Sequence, residues 1–257
     1  MKSIAIAEIL YNNKLSDGIF EMIIAAEAIA KEAKAGQFVN VYTGLGENIL
    51  PRPISISEID KNSGTLTLIY QVVGKGTKCF SEFVAGQEIK VLGPLGNGFT
   101  IPSEEGNHVV VGGGIGAPPL IELMKALKGT VTVFLGARSN PILVEKFEAL
   151  GATVHIATDD GNVGFKGNVV QLMDKIQPKA DFIYSCGPKI MLKFLSQWAK
   201  DKGVNAQVSM EERMACGIGA CVGCAVKIKK EGESDWQNLK VCKDGPVFMS
   251  NEVVWDE

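Results

Sequence analysis

Histidine is nearly absent from this chain. There are 2 in 257 residues, and both, His108 and His155, flank apolar runs, where they read as strand-end structure rather than catalytic bases. An excess of one charge is also missing, since 26 Lys and Arg stand against 29 Asp and Glu. With no basic stripe, a nucleic-acid partner is not expected. No apolar run is long enough to span a bilayer: the stretch from 20 to 30 is short and broken by glutamates. The opening Met-Lys-Ser-Ile-Ala leads straight into strand-like sequence, so no signal peptide is expected. Internal repeats and low-complexity tracts are lacking as well. Hydrophobic residues, at 46%, and charged ones, at 21%, permit packed cores throughout. The length allows two domains of ordinary size plus an appendage.

Cysteine is the residue whose placement carries most information. Of 6 cysteines, Cys79 and Cys186 stand alone, and Cys79 reads as core. Cys216, Cys221, Cys224 and Cys242 are spaced C-x4-C-x2-C and then seventeen residues to the last. Such clustering is not a disulfide framework, and a reducing cytoplasm is the expected location. Four soft thiolates ask for zinc or an iron–sulfur cluster. Structural zinc usually takes C-x2-C knuckles, whereas the first gap here is four, filled by Gly217, Ile218, Gly219 and Ala220. A small-residue loop of that kind suits [2Fe–2S], and the spacing is that of plant-type ferredoxins with a shorter final gap. Zinc remains the alternative. The same small apolar loop would let another protein approach closely. Met210, Met214, Val247, Phe248 and Met249 are the expected docking surface around it, or else simply packing for the segment.

The chain before Gly98 reads as short strands, at 38–42, 54–58, 66–73 and 88–91, punctuated by Asn12-Asn13, by Lys61 to Gly64 and by Gly93-Pro94. A small antiparallel barrel is expected. Residues 25–34 have helical composition but meet Gly36, so one turn of helix at most is expected there. Afterwards strands at 131–135, 153–157 and 182–185 alternate with helices at 144–150, 168–176 and 189–202. A further helix after Pro118-Pro119 turns Leu120, Ile121, Leu123, Met124 and Leu127 inward. Alternation of this kind means a parallel sheet covered on both faces.

Three motifs carry chemistry. Val109-Val110-Val111 runs into Gly112, Gly113, Gly114, Ile115 and Gly116 ahead of the proline-opened helix. Strand, glycine loop and helix start together form a phosphate cradle, or else a tight turn without a ligand. Arg52-Pro53-Ile54-Ser55 begins a strand, where a guanidinium can fork onto phosphate and a hydroxyl can meet a heterocycle. Ile69-Tyr70-Gln71 then leads to Gly74, Gly76 and Thr77: a ring for a flavin to stack on, then backbone N–H groups for a pyrophosphate. Cys186, between a strand and Gly187-Pro188, reads either as a neighbour of a nicotinamide or as a core residue. Arg138 reads as a 2′-phosphate contact or a surface residue, and Asp159-Asp160 as shaping the turn at Gly161.

These motifs, with Ser185 to Pro188, resemble the ferredoxin–NADP reductase family. The stretches Glu212 to Cys221 and Val241 to Phe248 further resemble one branch of it, the electron-transfer subunits of type B dihydroorotate dehydrogenases. The resemblance implies three parts: an FAD-binding barrel over 1–99, an NAD-binding α/β domain over 100–205 and a [2Fe–2S] segment over 206–257. It implies FAD on Arg52, Pro53, Ile54, Ser55, Ile69, Tyr70, Gln71, Gly76 and Thr77. It also implies NAD near Gly112, Gly114, Gly116 and Cys186, and the cluster on Cys216, Cys221, Cys224 and Cys242. Dihydroorotate oxidation itself, with FMN, falls by the same resemblance on a partner catalytic subunit, in a heterotetramer of two of each chain. No catalytic residue for that step is expected here. The logic holds without the name: nicotinamide moves two electrons at once, a cluster moves one, and a flavin exchanges either. The nearest rival is a related reductase subunit serving ferredoxin, sulfide or hydrogenase chemistry. A rival of another class is a colourless zinc-stapled binding module.

Overall fold

The computed structural model describes residues 2–44, 46 and 49–255. Among these, six strands close an antiparallel barrel in the order β1-β2-β5-β4-β3-β6. They are β1 (Ser3–Ser16), β2 (Ile19–Ala25), β3 (Phe38–Tyr42), β4 (Arg52–Asp60), β5 (Thr65–Gln71) and β6 (Glu88–Leu95). Alternate positions fill its interior, with Ala7, Ile9, Met22, Ile24, Val39, Val41, Leu66, Leu68 and Val91 all buried, as a period-2 strand requires. Closure leaves no free edge.

Several local expectations need correcting. Asn12-Asn13 is not a turn but lies inside β1, which is irregular on either side of it, between Ile9 and Tyr11 and between Lys14 and Ser16. Asn12 Nδ2 donates to the carbonyls of Phe80 and Phe83, each at 2.8 Å, so its polar side chain closes the end of a helix rather than making a turn. The hairpin instead turns at Asp17-Gly18, where Gly18 has φ +68°. Gly93-Pro94 lies within β6; a Cβ on Gly93 would come 2.6 Å from Val39 Cγ1, so this glycine serves close packing. Helix α1 (Glu27–Glu32) exceeds the single turn expected, with Ile29 and Ala30 buried beneath it. The glycine–hydroxyl segment forms part of a second helix, α2 (Lys75–Phe80).

The second unit is a seven-stranded sheet in the order β10-β9-β8-β7-β11-β12-β15. Its strands are β7 (Gly106–Gly113), β8 (Gly129–Ala137), β9 (Thr153–Thr158), β10 (Phe165–Lys166), β11 (Phe182–Cys186), β12 (Asn205–Ser209) and β15 (Val247–Met249). All pairs are parallel except β12 with β15. Helices α3 (Pro119–Ala126) and α4 (Val144–Ala149) cover one face, over Val110, Val133, Leu135 and Tyr184. Helices α5 (Val169–Ile176) and α6 (Lys189–Lys202) cover the other, over Val109, Val111, Phe134 and Ile183. The inward face expected of α3 is observed: Leu120, Ile121, Leu123 and Met124 are buried, and Leu127 packs just beyond its end.

The remaining hairpin, β13 (Ala225–Ile228) and β14 (Gln237–Lys240), carries the cysteine segment. Because β15 joins the edge of the sheet, this segment is built into the second unit. It also grips the barrel: Asn97 N donates to Gly245 O at 2.6 Å, and Asn97 Nδ2 to Lys243 O and Asp244 O at 3.2 and 3.0 Å. Barrel and sheet are tied separately. Ser57 Oγ donates to Pro118 O at 3.1 Å and Ile59 N to Glu122 Oε2 at 2.9 Å. Glu58 sits between Lys146 and Lys125, the latter at 2.9 Å.

Candidate functional site, a cleft shared by barrel, sheet and cysteine segment

The strand order switches sides between the parallel neighbours β7 and β11, where Gly112 pairs with Cys186. Ligands of open α/β sheets sit at such a switch point. Here it opens into a cleft of about 1880 Å³ walled by β4 and β5 of the barrel, by the loops after β7, β8 and β11, and by residues 209–214 and Pro246 of the C-terminal segment.

Of the predicted residues, Arg52, Pro53, Ile54, Ser55, Ile69, Tyr70, Gln71, Thr77, Gly114, Gly116 and Cys186 line this cleft. Gly114, with φ +53°, has open space where a side chain would stand, leaving bare backbone toward the cavity. Gly116 lets two loops interlock, since a Cβ there would meet Cys186 O at 2.4 Å. Gly112 lies behind this wall, packed under Ala117 and Leu135, and the lining glycine beside it is Gly113. Gly76 also lies behind the wall, directly beneath Arg52; a Cβ on it would stand 2.4 Å from Nε. A cation thus sits directly on a side-chain-free helix start, with no room between them for a methyl. Arg52 Nη1 meanwhile donates to Leu50 O at 2.5 Å.

Two of these residues also make contacts inside the barrel. Tyr70 lines the cleft but packs its ring into the barrel. Position 70 shares the inward period of Leu66 and Leu68, so the ring stacks on Phe20 at 5.9 Å and meets Phe80 edge-on. Its hydroxyl donates to Asn12 at 3.0 Å, and burial pushes its pKa up. The Thr77 hydroxyl is engaged locally, accepting from Val73 N at 2.9 Å and Gly74 N at 3.2 Å. Cys186 is half-buried in the cleft wall and also packs on the sheet core. Burial pushes its thiol to about 12 against a hydrogen bond with Ser209, which keeps it neutral at physiological pH. Arg138 and Asp159 line the cleft as well, beside Lys189 and Arg213.

The four clustered cysteines gather at one end of the C-terminal segment. Cys224 and Cys242 are buried, while Cys216 and Cys221 are half-exposed. Cys221 N–H donates to Cys216 Sγ at 3.3 Å. Burial raises the pKa of Cys216, but N–H groups of Cys221, Ile218 and Ala220 outweigh it and hold the thiol below its ordinary range. Cys242 is raised by burial and by the adjacent Cys224 thiol, with the Gly219 N–H opposing. Among the described residues no three Cys, His, Asp or Glu side chains close around a single ion position. Four thiols with peptide N–H donors aimed at sulfur suit an iron–sulfur group, whose sulfurs accept such bonds.

Most of the expected docking surface around this loop turns out to be packing. Met210 and Phe248 are 4% and 7% exposed in a core with Cys224, Val241 and Cys242, and Met214 packs against it. Val247 and Met249 are strand residues of β15. Outward-facing apolar surface is instead supplied by Ile218, at 44%, and Val222, at 73%. Among the described residues no helix is long and apolar enough to cross a membrane.

Barrel, parallel sheet and cleft together make the ferredoxin–NADP reductase fold. A ferredoxin–NADP+ reductase from Neisseria gonorrhoeae with bound FAD and NADP has a TM-score of 0.66 at 19% identity over 78% of this chain and 92% of its own. The iron–sulfur cluster binding domain of dihydroorotate dehydrogenase B matches residues 211–254. Over 100% of both chains, the sequence is 42% identical to the dihydroorotate dehydrogenase B (NAD(+)) electron transfer subunit of Desulforamulus reducens. Identity to the Streptococcus thermophilus subunit of that name is also 42%, over 96% of each. The chain belongs to this family of electron-transfer subunits. A structure of NADH-dependent reduced ferredoxin–NADP oxidoreductase, from work on flavin-based electron bifurcation, has a TM-score of 0.87 at 33% identity. It covers 98% of this chain and 90% of that one.

Proposed function

We propose that this chain is the electron-transfer subunit of a type B dihydroorotate dehydrogenase, carrying FAD and [2Fe–2S] and passing electrons from an FMN-bearing catalytic subunit to NAD+. The observation that carries this reading is the single cleft to which the barrel, the sheet and the lead-in to the cysteine loop all contribute. In this reading residues 1–99 form the FAD barrel, 100–205 the NAD domain and 206–257 the cluster segment, and the complex works in the cytoplasm.

FAD, when bound, supplies two-electron exchange with nicotinamide and one-electron exchange with the cluster. The chain's own residues bind, orient and exclude. The Arg52 guanidinium over Gly76 receives a phosphate, and Pro53 to Ser55 with Ile69 to Gln71 wall the flavin edge. Bare backbone at Gly114 admits the nicotinamide cofactor, Gly116 locks that loop against Cys186, and Cys186 sits at the switch point with its thiol pushed up by burial. Cys216, Cys221, Cys224 and Cys242 would hold the [2Fe–2S] cluster, which would supply one-electron transfer. No general base for dihydroorotate falls to this chain, so substrate oxidation belongs to the partner.

The test is reconstitution. The purified chain should contain about two irons and two labile sulfides and reduce dyes with NADH, yet leave dihydroorotate untouched until the FMN-bearing partner is added. Dihydroorotate turnover by this chain alone overturns the division of labour. The 33% identity to a ferredoxin-linked oxidoreductase favours one second reading, a reductase subunit exchanging electrons with ferredoxin. Faster NADH-driven reduction of ferredoxin than of the FMN-bearing partner would select it.

A further inference from the structure

Asn40 lies on β3 between Val39 and Val41, which fill the barrel core. It therefore points the other way, toward the C-terminal segment, and it is 0% exposed. Its Nδ2 donates to the carbonyl of Cys216, 176 positions away, at 3.0 Å. The carboxamide lies flat against Gly217: a Cβ there would stand 2.4 Å from Nδ2 and 2.6 Å from Oδ1. Gly217 itself has φ +65°, so the loop turns sharply at the point where Asn40 presses on it. Asn40 Oδ1 finds no partner among the described residues, a cost that an apolar side chain would avoid. Packing alone does not call for an amide here, but the donor to Cys216 does. Farther along the same loop, Cys221 N–H points at Cys216 Sγ, and Lys240 Nζ donates to Gly219 O at 2.8 Å. The loop is pinned at its start by the barrel and in its middle by β14.

We propose that Asn40 is a positioning residue for the iron–sulfur centre, clamping the cysteine loop to the flavin-side barrel so that peptide N–H groups stay aimed at the Cys216 sulfur. The proposal rests on the reading of Cys216 as a cluster ligand. Its consequence is electronic. Hydrogen bonds to sulfur favour the state with more negative charge, the one-electron-reduced cluster. Releasing the loop should therefore make the cluster harder to reduce, without removing any ligand.

The experiment uses the full chain, purified anaerobically, with iron and labile sulfide counted and the cluster poised by dithionite titration and read by EPR. Asn40→Leu fills the space without a donor, and Asn40→Ala removes both. Each should retain wild-type iron and Tm, shift the EPR g values and lower the reduced-to-oxidised ratio at the wild-type midpoint about tenfold, which is 59 mV for one electron. Gly217→Ala should move the ratio the same way by displacing the carboxamide. In combination with Asn40→Ala it should shift the ratio no further than the larger single change. Wild-type g values and ratio in both Asn40 variants overturn the proposal, as do additive shifts. Iron loss accompanied by a fallen Tm also overturns it, since Asn40 would then be a packing residue. Cys216→Ser distinguishes the underlying reading: full iron with an unchanged spectrum would remove Cys216 as a ligand and the clamp with it. Altered Cys216→Ser together with silent Asn40 variants sinks the clamp alone.

Discussion

Gly76→Ala isolates the contact on which flavin binding is expected to turn. The new methyl would stand 2.4 Å from Arg52 Nε and 2.8 Å from Nη2. That obstacle is the far end of a flexible side chain, so the guanidinium moves and the fold does not. Position 76 is inside α2, where alanine is better than glycine by about 1 kcal/mol. Stability should hold or rise while FAD affinity falls. Arg52→Ala sets the ceiling. A hydrogen bond to a charged group is worth about 1.5–3 kcal/mol, which at an RT of about 0.59 kcal/mol weakens Kd roughly 10- to 150-fold. Titrating flavin-stripped protein with FAD and following flavin fluorescence measures each Kd, with iron content as the control for the distant cluster. Gly76→Ala should weaken binding up to that ceiling, and in an Arg52→Ala background it should add almost nothing. Arg52→Ala within twofold of wild type, or an undiminished Gly76→Ala effect without Arg52, would refute the reasoning.

Phe248→Asp should destabilise the chain by about 3–5 kcal/mol, because Phe248 is buried beside Cys224 and Cys242; a fall in Tm together with lost iron checks this. Ile218→Asp should keep both iron and Tm yet weaken co-purification with the FMN-bearing partner, and an unaffected complex counts against a docking role. Burial pushes the Glu58 carboxyl up, but Lys146 and Lys125 outweigh it and hold it below its ordinary pKa. Its contribution is therefore full above the unfolded value of about 4.3 and lost as pH falls through the lower folded value. The Tm gap between wild type and Glu58→Gln should stay level near neutrality and close below about pH 4; a gap that widens on acidification contradicts the pairing. NADH should be preferred to NADPH in steady-state diaphorase assays, and comparable kcat/KM for the two would show that the cleft does not discriminate.

What was legible in the sequence was local. The cysteine spacing, Arg52 to Ser55 and the glycine loop are signals whose partners lie within a few residues, and barrel and sheet follow from strand and helix periods. Orientation within a strand was harder. Tyr70 looked like a stacking ring, and only the register with Leu66 and Leu68 turns it inward. Asn12 reads as a turn former until its carboxamide is seen closing the end of α2 from 68 positions away. Phe248 and Met210 resembled docking surface because an apolar residue near a metal loop carries no mark of which side it faces. Contacts between units were not legible at all: Ser57 with Pro118, Asn97 with Lys243 and Asn40 with Cys216 each join segments that no local pattern relates.

Those long-range contacts bear on how such a chain can move electrons. Transfer between centres depends steeply on separation, so a relay needs its segments held rather than tethered. Pro246 accepts from Met210 N at 2.8 Å while lining the cleft, and Gly245 O accepts from the barrel's Asn97. The turn that delivers Cys242 is therefore fixed to the flavin side by backbone bonds. On the other flank, residues 209–214 form cleft wall, and Cys216 follows two positions later, pinned by Asn40. Both halves of the ligand set thus hang from elements that also shape the cleft. A substitution that loosened either attachment would slow transfer while every ligand stayed in place, which makes these neutral, ligand-free positions as telling for function as the cysteines.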